Sequence, residues 1–279
     1  MSTPRPFQQV DVFTDRPFLG NPVAVVLDGG GLDKPTMGAF SRWTNLSEAT
    51  YLGDPTHPEA DYSLRIFCSD RELPFAGHPT LGSCHAWLTA GGKPKGEIIV
   101  QECAAGLVRI RRDGALLSFA APELLRSGPL DDADVAVLAR GLGVDVSDIV
   151  AHQWCDNGPP WQAVLLRDAE AVRALRPDAS LLGGRFVGVV GLQVDACDTD
   201  IEVRGFAPGN GSLFEDPVTG SLNAALAQWL IGADRLPDSY TAAQGTLLGR
   251  AGRVHVERIG ADIWIGGHCT TVIAGTATI

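Results

Sequence analysis

The chain has 279 residues, 22 basic against 33 acidic side chains for a formal net charge of −11, and 45% apolar residues. That is enough apolar sequence for one large core or two of ordinary size, and it excludes a chain disordered throughout. The acidic balance repels phosphate backbones and anionic lipid surfaces, and no run approaches the ~20 apolar residues of a bilayer span, so neither nucleic acid nor membrane is expected as a partner.

The opening MSTPRPFQQVDVF lacks an apolar signal segment, which makes a cytoplasmic location the expectation. Strands are predicted at Val10–Phe13 and Pro22–Leu27, joined by a turn-rich stretch that Gly20-Asn21-Pro22 closes. A helix follows from Pro35, capped by Asp33, with Met37, Phe40 and Trp43 as its apolar stripe and Asn45 as its stop. Further strands are predicted at Ser63–Phe67, Glu97–Gln101, Leu107–Arg111 and Leu116–Phe119. After Pro122 a polar connection leads into a capped helix over Asp131–Arg140. This is the expected boundary between domains 1–125 and 126–279, with the last strand free to return to the first domain. Strands at Gln162–Leu166, Phe186–Val194, Ile201–Phe206, Val254–Glu257, Asp262–Ile265 and Thr270–Ile273 complete the chain. Its six cysteines are scattered singly with no C-x-x-C pair, so they read as buried thiols and not as a disulfide framework, and no metal is expected.

An internal repeat organises these elements. Arg65-Ile66-Phe67 precedes a loop and Gly77-His78-Pro79-Thr80-Leu81-Gly82-Ser83, which opens a helix ending near Gly91-Gly92. Arg204-Gly205-Phe206 precedes a loop and Glu215-Asp216-Pro217-Val218-Thr219-Gly220-Ser221, which opens a helix ending near Gly232. Matching the phenylalanines and the prolines gives offsets of 206 − 67 = 139 and 217 − 79 = 138, hence two related strand-rich α/β halves.

In this register His78 and Asp216 fall at or beside the two helix N-caps. The N–H groups around Thr80–Gly82 and Val218–Ser221 form positive helix ends suited to an anion. Halves that face each other would bring both motifs to one cleft, fit for a small carboxylate-bearing molecule without metal or cofactor. Either motif alone reads as an ordinary capped helix; the duplication favours a site. Glu48, in Asn45-Leu46-Ser47-Glu48-Ala49, stands after a helix at the entry to a short strand, where spacing alone leaves it a solvated carboxylate or a general base.

VDVFTDRPFLGNPVAVV, NLSEATYL, LPFAGHPTLGSCHAWL and FEDPVTGSLNAAL, in this order, resemble the PhzF family of phenazine-biosynthesis-like isomerases over nearly the whole chain. The resemblance implies a fold like diaminopimelate epimerase: two pseudo-symmetric α/β (α+β) domains, each a curved, mostly antiparallel sheet or barrel around a central helix. It also implies a homodimer and cofactor-independent proton chemistry, as in the isomerisation of trans-2,3-dihydro-3-hydroxyanthranilate, where a glutamate moves a proton from C3 to C1. By the same resemblance Glu48, His78 and Asp216 are the catalytic residues. Gly220 and Ser221 contact substrate, and Gly77 and Thr80 line the other helix start.

Epimerases of this fold use two thiols, and the matching positions here hold Ala76 and Thr219, so the two-thiol mechanism is not expected; an amino-acid racemase or epimerase with a second acid or base on the opposite face is one alternative. A silent small-molecule binding protein is the other alternative, against which the intact Glu48, His78 and Asp216 set counts. Leu222-Asn223 departs from the Ala-His common after the second motif, which leaves the substrate open. Cys84 reads as core, Trp154, Trp161 and Trp264 as packing, His57, His152 and His255 as loop, surface or sheet residues, and Asp195, Asp198 and Asp200 as solvated turn carboxylates.

Overall fold

A computed structural model describes residues 2–209 and 212–279. In chain order its elements begin with β1 (Pro4–Val12), β2 (Asn21–Val26), α1 (Lys34–Thr44), β3 (Ala49–Gly53), β4 (Tyr62–Cys68), β5 (Arg71–Leu73), α2 (Gly77–Thr89), β6 (Ile99–Cys103), β7 (Gly106–Asp113) and β8 (Leu116–Ala120). There follow α3 (Asp132–Leu142), β9 (Ile149–Asp156), β10 (Pro160–Leu166), α4 (Ala169–Ala174), α5 (Ala179–Leu182), β11 (Phe186–Leu192), β12 (Ile201–Gly209), β13 (Ser212–Asp216) and α6 (Gly220–Gly232). The chain ends with β14 (Ser239–Gln244), β15 (Gly252–Ile259), β16 (Asp262–Gly267) and β17 (Cys269–Thr278). Two compact units result: residues up to Ala120 with Gly266–Ile279, and Ala121–Ile265. Among the described residues no helix is long and apolar enough to cross a membrane.

In the first unit β17 pairs along β1, which pairs with β2. β2 runs parallel to β3 across α1, β3 antiparallel to β4, and β4 parallel to β6 across α2, with β7 and β8 following as antiparallel neighbours. The second unit repeats the order: β10 parallel to β11 across α4 and α5, β11 antiparallel to β12, β12 parallel to β14 across α6, then β15. Each unit is therefore a mostly antiparallel sheet with two helical crossovers.

The central helices are apolar on nearly every side, as a helix enclosed by its own unit must be. Residues Gly77–Cys84 of α2 are all buried, as are Leu222–Ala227 of α6. α2 lies so close to β1 and β2 that a Cβ on Gly82 would meet Val23 Cγ1 at 2.4 Å. α1 forms as its sequence predicts: Asp33 accepts from Thr36 N–H, Pro35 fills the first turn, and Asn45 ends the helix at φ 56°. Its stripe differs from expectation at one position. Phe40 packs edge-on against Phe7 and Tyr51, whereas Trp43 stacks outside Phe40 and is 81% exposed.

The halves superimpose on a register other than the one the prolines suggested. In the β4–β5 hairpin Phe67 lies opposite Glu72, and in the β12–β13 hairpin Phe206 lies opposite Glu215. The helices then start at Gly77 and Gly220, so from the hairpin's second strand onward the offset is 143 (215 − 72 and 220 − 77). Pro74 matches Pro217, while Pro79 sits within the first turn of α2, opposite Leu222. The anchor is a repeated ion pair: Arg65 grips Glu72 in a bidentate contact at 2.7 and 3.0 Å, and Arg204 grips Glu215 at 2.8 Å through both nitrogens. Each guanidinium also lies over the phenylalanine two residues on, Phe67 or Phe206. The counterpart of His78 is consequently Ser221, and that of Asp216 is Leu73. The halves share a frame and carry different chemistry.

Candidate active site

Three elements of the first unit bring their N-terminal ends together. β2 and β3 are parallel with Ala24 opposite Ala49, so Asn21, which opens β2, and Glu48, which precedes β3, lie at one end of the sheet. The Glu48 carbonyl accepts from Ala24 N–H, and the Asp11 carboxylate accepts from Gly20 N–H at 3.1 Å, which sets the turn into Asn21. His78, the second residue of α2, reaches both. Its Nδ1 lies 3.4 Å from Asn21 Nδ2 and its Nε2 lies 3.3 Å from Glu48 Oε2. An amide nitrogen can only donate, so Nδ1 accepts and the ring proton sits on Nε2, facing the Glu48 carboxyl group. The side chains of His78 and Glu48 are 7% and 14% exposed.

Burial pushes the His78 imidazole down to about 3, so at neutral pH its contact with Glu48 sets a neutral imidazole beside a carboxyl group. An unfolded histidine binds a proton below ~6.5, while the folded ring stays neutral down to about 3. This residue therefore lowers stability as pH falls through that window, by up to about 1.4 kcal/mol per pH unit. Urea unfolding from about pH 7 to about pH 4 is expected to show a shallower loss of stability in His78→Asn than in the wild type. Equal slopes would mean that the folded ring titrates normally.

The N-cap of α2 is Ala76, whose methyl group cannot accept a helix N–H. The N–H groups of Gly77 and His78 precede the intrahelical ladder, and Pro79 has none. Thr80 does not add to this set. Its N–H already donates to Ala76 O, its hydroxyl accepts from Gln101 Nε2 at 3.1 Å, and it is fully buried. The free amides expected around Thr80–Gly82 lie instead one turn earlier, because the helix starts at Gly77.

The second helix start is built differently. Asp216 ends β13, three residues before the N-cap Thr219, and its Oδ2 accepts the Thr219 hydroxyl at 2.8 Å. Gln244, at the end of β14 and buried, accepts through Oε1 from Thr219 N–H at 3.0 Å and Asn223 Nδ2 at 2.9 Å. Ser221, the second residue of α6, accepts at Oγ from Trp161 Nε1 and at its carbonyl from Asn157 Nδ2. Gly220 opens the helix. Glu48, His78 and Gly77 thus form one group within the first unit, and Asp216, Gly220 and Ser221 another within the second.

Sequence reasoning passed over Asn21, Gln101 and Gln244. A signal existed: Gln101 and Gln244 stand 143 residues apart, the offset that also relates the helix starts. Of the cysteines expected to be buried, Cys84 and Cys155 are, whereas Cys197 is exposed and Cys68, Cys103 and Cys269 are half-buried, because the last four stand at strand ends or in a loop. Cys84 is buried and its thiol is pushed up to about 12 by that burial, and Trp161 and Trp264 are buried. Trp154 lies under the Arg126 guanidinium, His152 accepts from Leu130 N–H, and Asp198 pairs with Arg253.

The family model for phenazine biosynthesis-like proteins, PhzC-PhzF, matches residues 10–275. Antisense-enhancing sequence 1 of Schizosaccharomyces pombe is 34% identical, over 99% of this chain and 100% of its own. The trans-2,3-dihydro-3-hydroxyanthranilate isomerase of Pseudomonas aeruginosa is 30% identical over 90% of each chain. Among solved structures, a PhzF-family phenazine biosynthesis protein of Enterococcus faecalis superimposes with a TM-score of 0.81 at 24% identity, covering 99% of this chain and 100% of that one.

Proposed function

The chain belongs to the PhzC-PhzF family of phenazine biosynthesis-like proteins and is an isomerase, and from that premise we propose that it moves a proton between two carbons of a small carboxylate-bearing substrate, with Glu48 as the acid and base. The observation that supports this most directly is the Glu48–His78 contact at 3.3 Å, a mostly buried carboxyl group beside a neutral imidazole. A proton shift within one molecule needs a single group that removes the proton, holds it, and returns it to another carbon. The His78 imidazole lies against Glu48 at 3.3 Å and fixes its place in the site, before abstraction and after return.

In this reading the amide of Gly77 in the first unit, and those of Gly220 and Ser221 in the second, each at a helix start with no side-chain cap, are groups suited to a carboxylate. Asp216 and the Ser221 hydroxyl take its amino or hydroxyl groups. The substrate class is dihydroanthranilate-like, no cofactor enters the reaction, and the enzyme works as a cytoplasmic homodimer. Incubation in D2O with trans-2,3-dihydro-3-hydroxyanthranilate and a panel of cyclic and linear amino and hydroxy carboxylates tests the reading by mass spectrometry. The expected result is an isomerised product, which carries deuterium at the carbon that gained the proton to the extent that the proton on Glu48 exchanges with solvent before its return. A panel yielding neither isomer nor label would overturn it.

A further inference from the structure

We propose that Thr219 and Gln244 are positioning residues for Asp216, forming a buried relay that fixes the direction of the hydrogen bond its carboxylate receives. The proposal deepens the assignment of Asp216 to the substrate site and rests on that assignment for its role in catalysis.

The direction follows from which groups can only donate. Thr219 N–H and Asn223 Nδ2 both point at one end of the Gln244 amide, so that end is Oε1. The other end is the NH2 group, which donates to the Asp216 carbonyl at 3.1 Å and to Thr219 Oγ1 at 2.8 Å. With Oγ1 already accepting from Gln244, the Thr219 proton is turned to Asp216 Oδ2, 2.8 Å away. Donation runs one way, from Gln244 through Thr219 to Asp216, and it suits a carboxylate that accepts.

Two features separate this relay from ordinary packing. Thr219 occupies the N-cap of α6, where a threonine hydroxyl ordinarily accepts a helix N–H, yet it makes no such bond. The strand opposite is also bare: Gly205 pairs with Asp216, and a Cβ there would meet Thr219 Oγ1 at 2.8 Å and Gln244 Nε2 at 3.4 Å. The first unit supplies an internal comparison. Gln101 braces α2 through Thr80, as Gln244 braces α6 through Asn223, but Ala76 stands at the cap and Leu73 at the place of Asp216. Bracing is common to both units, and the branch to a carboxylate belongs to the second alone.

The test uses Thr219→Val, which keeps shape and removes the hydroxyl, Thr219→Ser, which keeps the hydroxyl, and Gln244→Glu, which keeps shape and replaces the donor by an acceptor. Charged groups near this turn are Glu215, held by Arg204, and Arg250, whose stem packs beside Gly245 and Pro217; none is altered. In protein labelled with 13C at aspartate carboxyls, the Asp216 resonance, assigned by its absence from Asp216→Asn, is followed against pH. Its midpoint is expected to rise by about one pH unit in Thr219→Val and Gln244→Glu, a tenfold change in proton affinity, and to stay at the wild-type value in Thr219→Ser. With trans-2,3-dihydro-3-hydroxyanthranilate, kcat should fall about tenfold in Thr219→Val and Gln244→Glu with KM little changed. Unchanged midpoints in folded Thr219→Val would overturn the relay, even were Gln244→Glu to misfold. The titration requires no substrate, so it decides the relay when the isomerase reading itself fails.

Discussion

Replacing Glu48 by glutamine is expected to lower proton transfer about 10³- to 10⁴-fold, the full contribution of a positioned acid–base group, while leaving stability and ligand binding near those of the wild type. Glutamine has nearly the same volume and keeps a carbonyl oxygen beside His78 Nε2, so the contact at 3.3 Å is expected to survive. What disappears is a group that takes a proton from carbon. The measurement is the rate of isomer formation and deuterium uptake in D2O, alongside thermal unfolding and ligand titration. A folded Glu48→Gln protein that keeps activity within tenfold of wild type would remove Glu48 from the mechanism.

The largest expected effect on stability is at Arg204. This side chain is 6% exposed; it holds Glu215 through two nitrogens and also donates to the carbonyls of Val172 and Leu175 at 3.2 and 3.0 Å. Arg204→Met would leave a mostly buried carboxylate and two carbonyls without their cation, a loss of about 3–5 kcal/mol. Removing both charges, in Arg204→Met with Glu215→Leu, should restore part of it, since two apolar groups carry no desolvation cost. The matching Arg65→Met change in the first unit is expected to cost about 1 kcal/mol or less, because Arg65 is 34% exposed and Glu72 keeps Lys34 at 2.7 Å. The Arg65 hydrogen bonds hold the Glu72 carboxyl down at about 2. The contribution of that pair is therefore complete above the ordinary glutamate value of 4.5 and lost as pH falls toward about 2. Denaturant unfolding of the three variants decides the matter; equal losses at Arg204 and Arg65 would contradict the reading of burial.

Elements with strong local signals were legible before any coordinates. Asp33, Pro35 and Asn45 bound α1 as predicted, and the apolar runs of β2, β4, β8, β10 and β12 lie where their periodicity puts them. Short or half-exposed strands were not: β5 has three residues, β9 is intermediate or exposed along most of its length, and neither carries an alternation to read. The proline match misled the repeat alignment because Pro79 and Pro217 share a residue type and occupy different places, one within a helix and one before it.

By itself the sequence determined that the chain contains two related halves and that GHPT and EDPVTGS mark two helix starts, and its resemblance to the PhzF family named Glu48, His78 and Asp216 as the residues to test. The halves and the helix starts are local properties, written in residue type and spacing. Only the tertiary structure decided the register of 143, the meeting of Asn21, His78 and Glu48, and the hold of Gln244 on Thr219. Each of those joins residues 25 or more positions apart. The hydrogen bonds that bind them depend on a few tenths of an ångström and on which atom donates, and strand pairing and helix packing settle both.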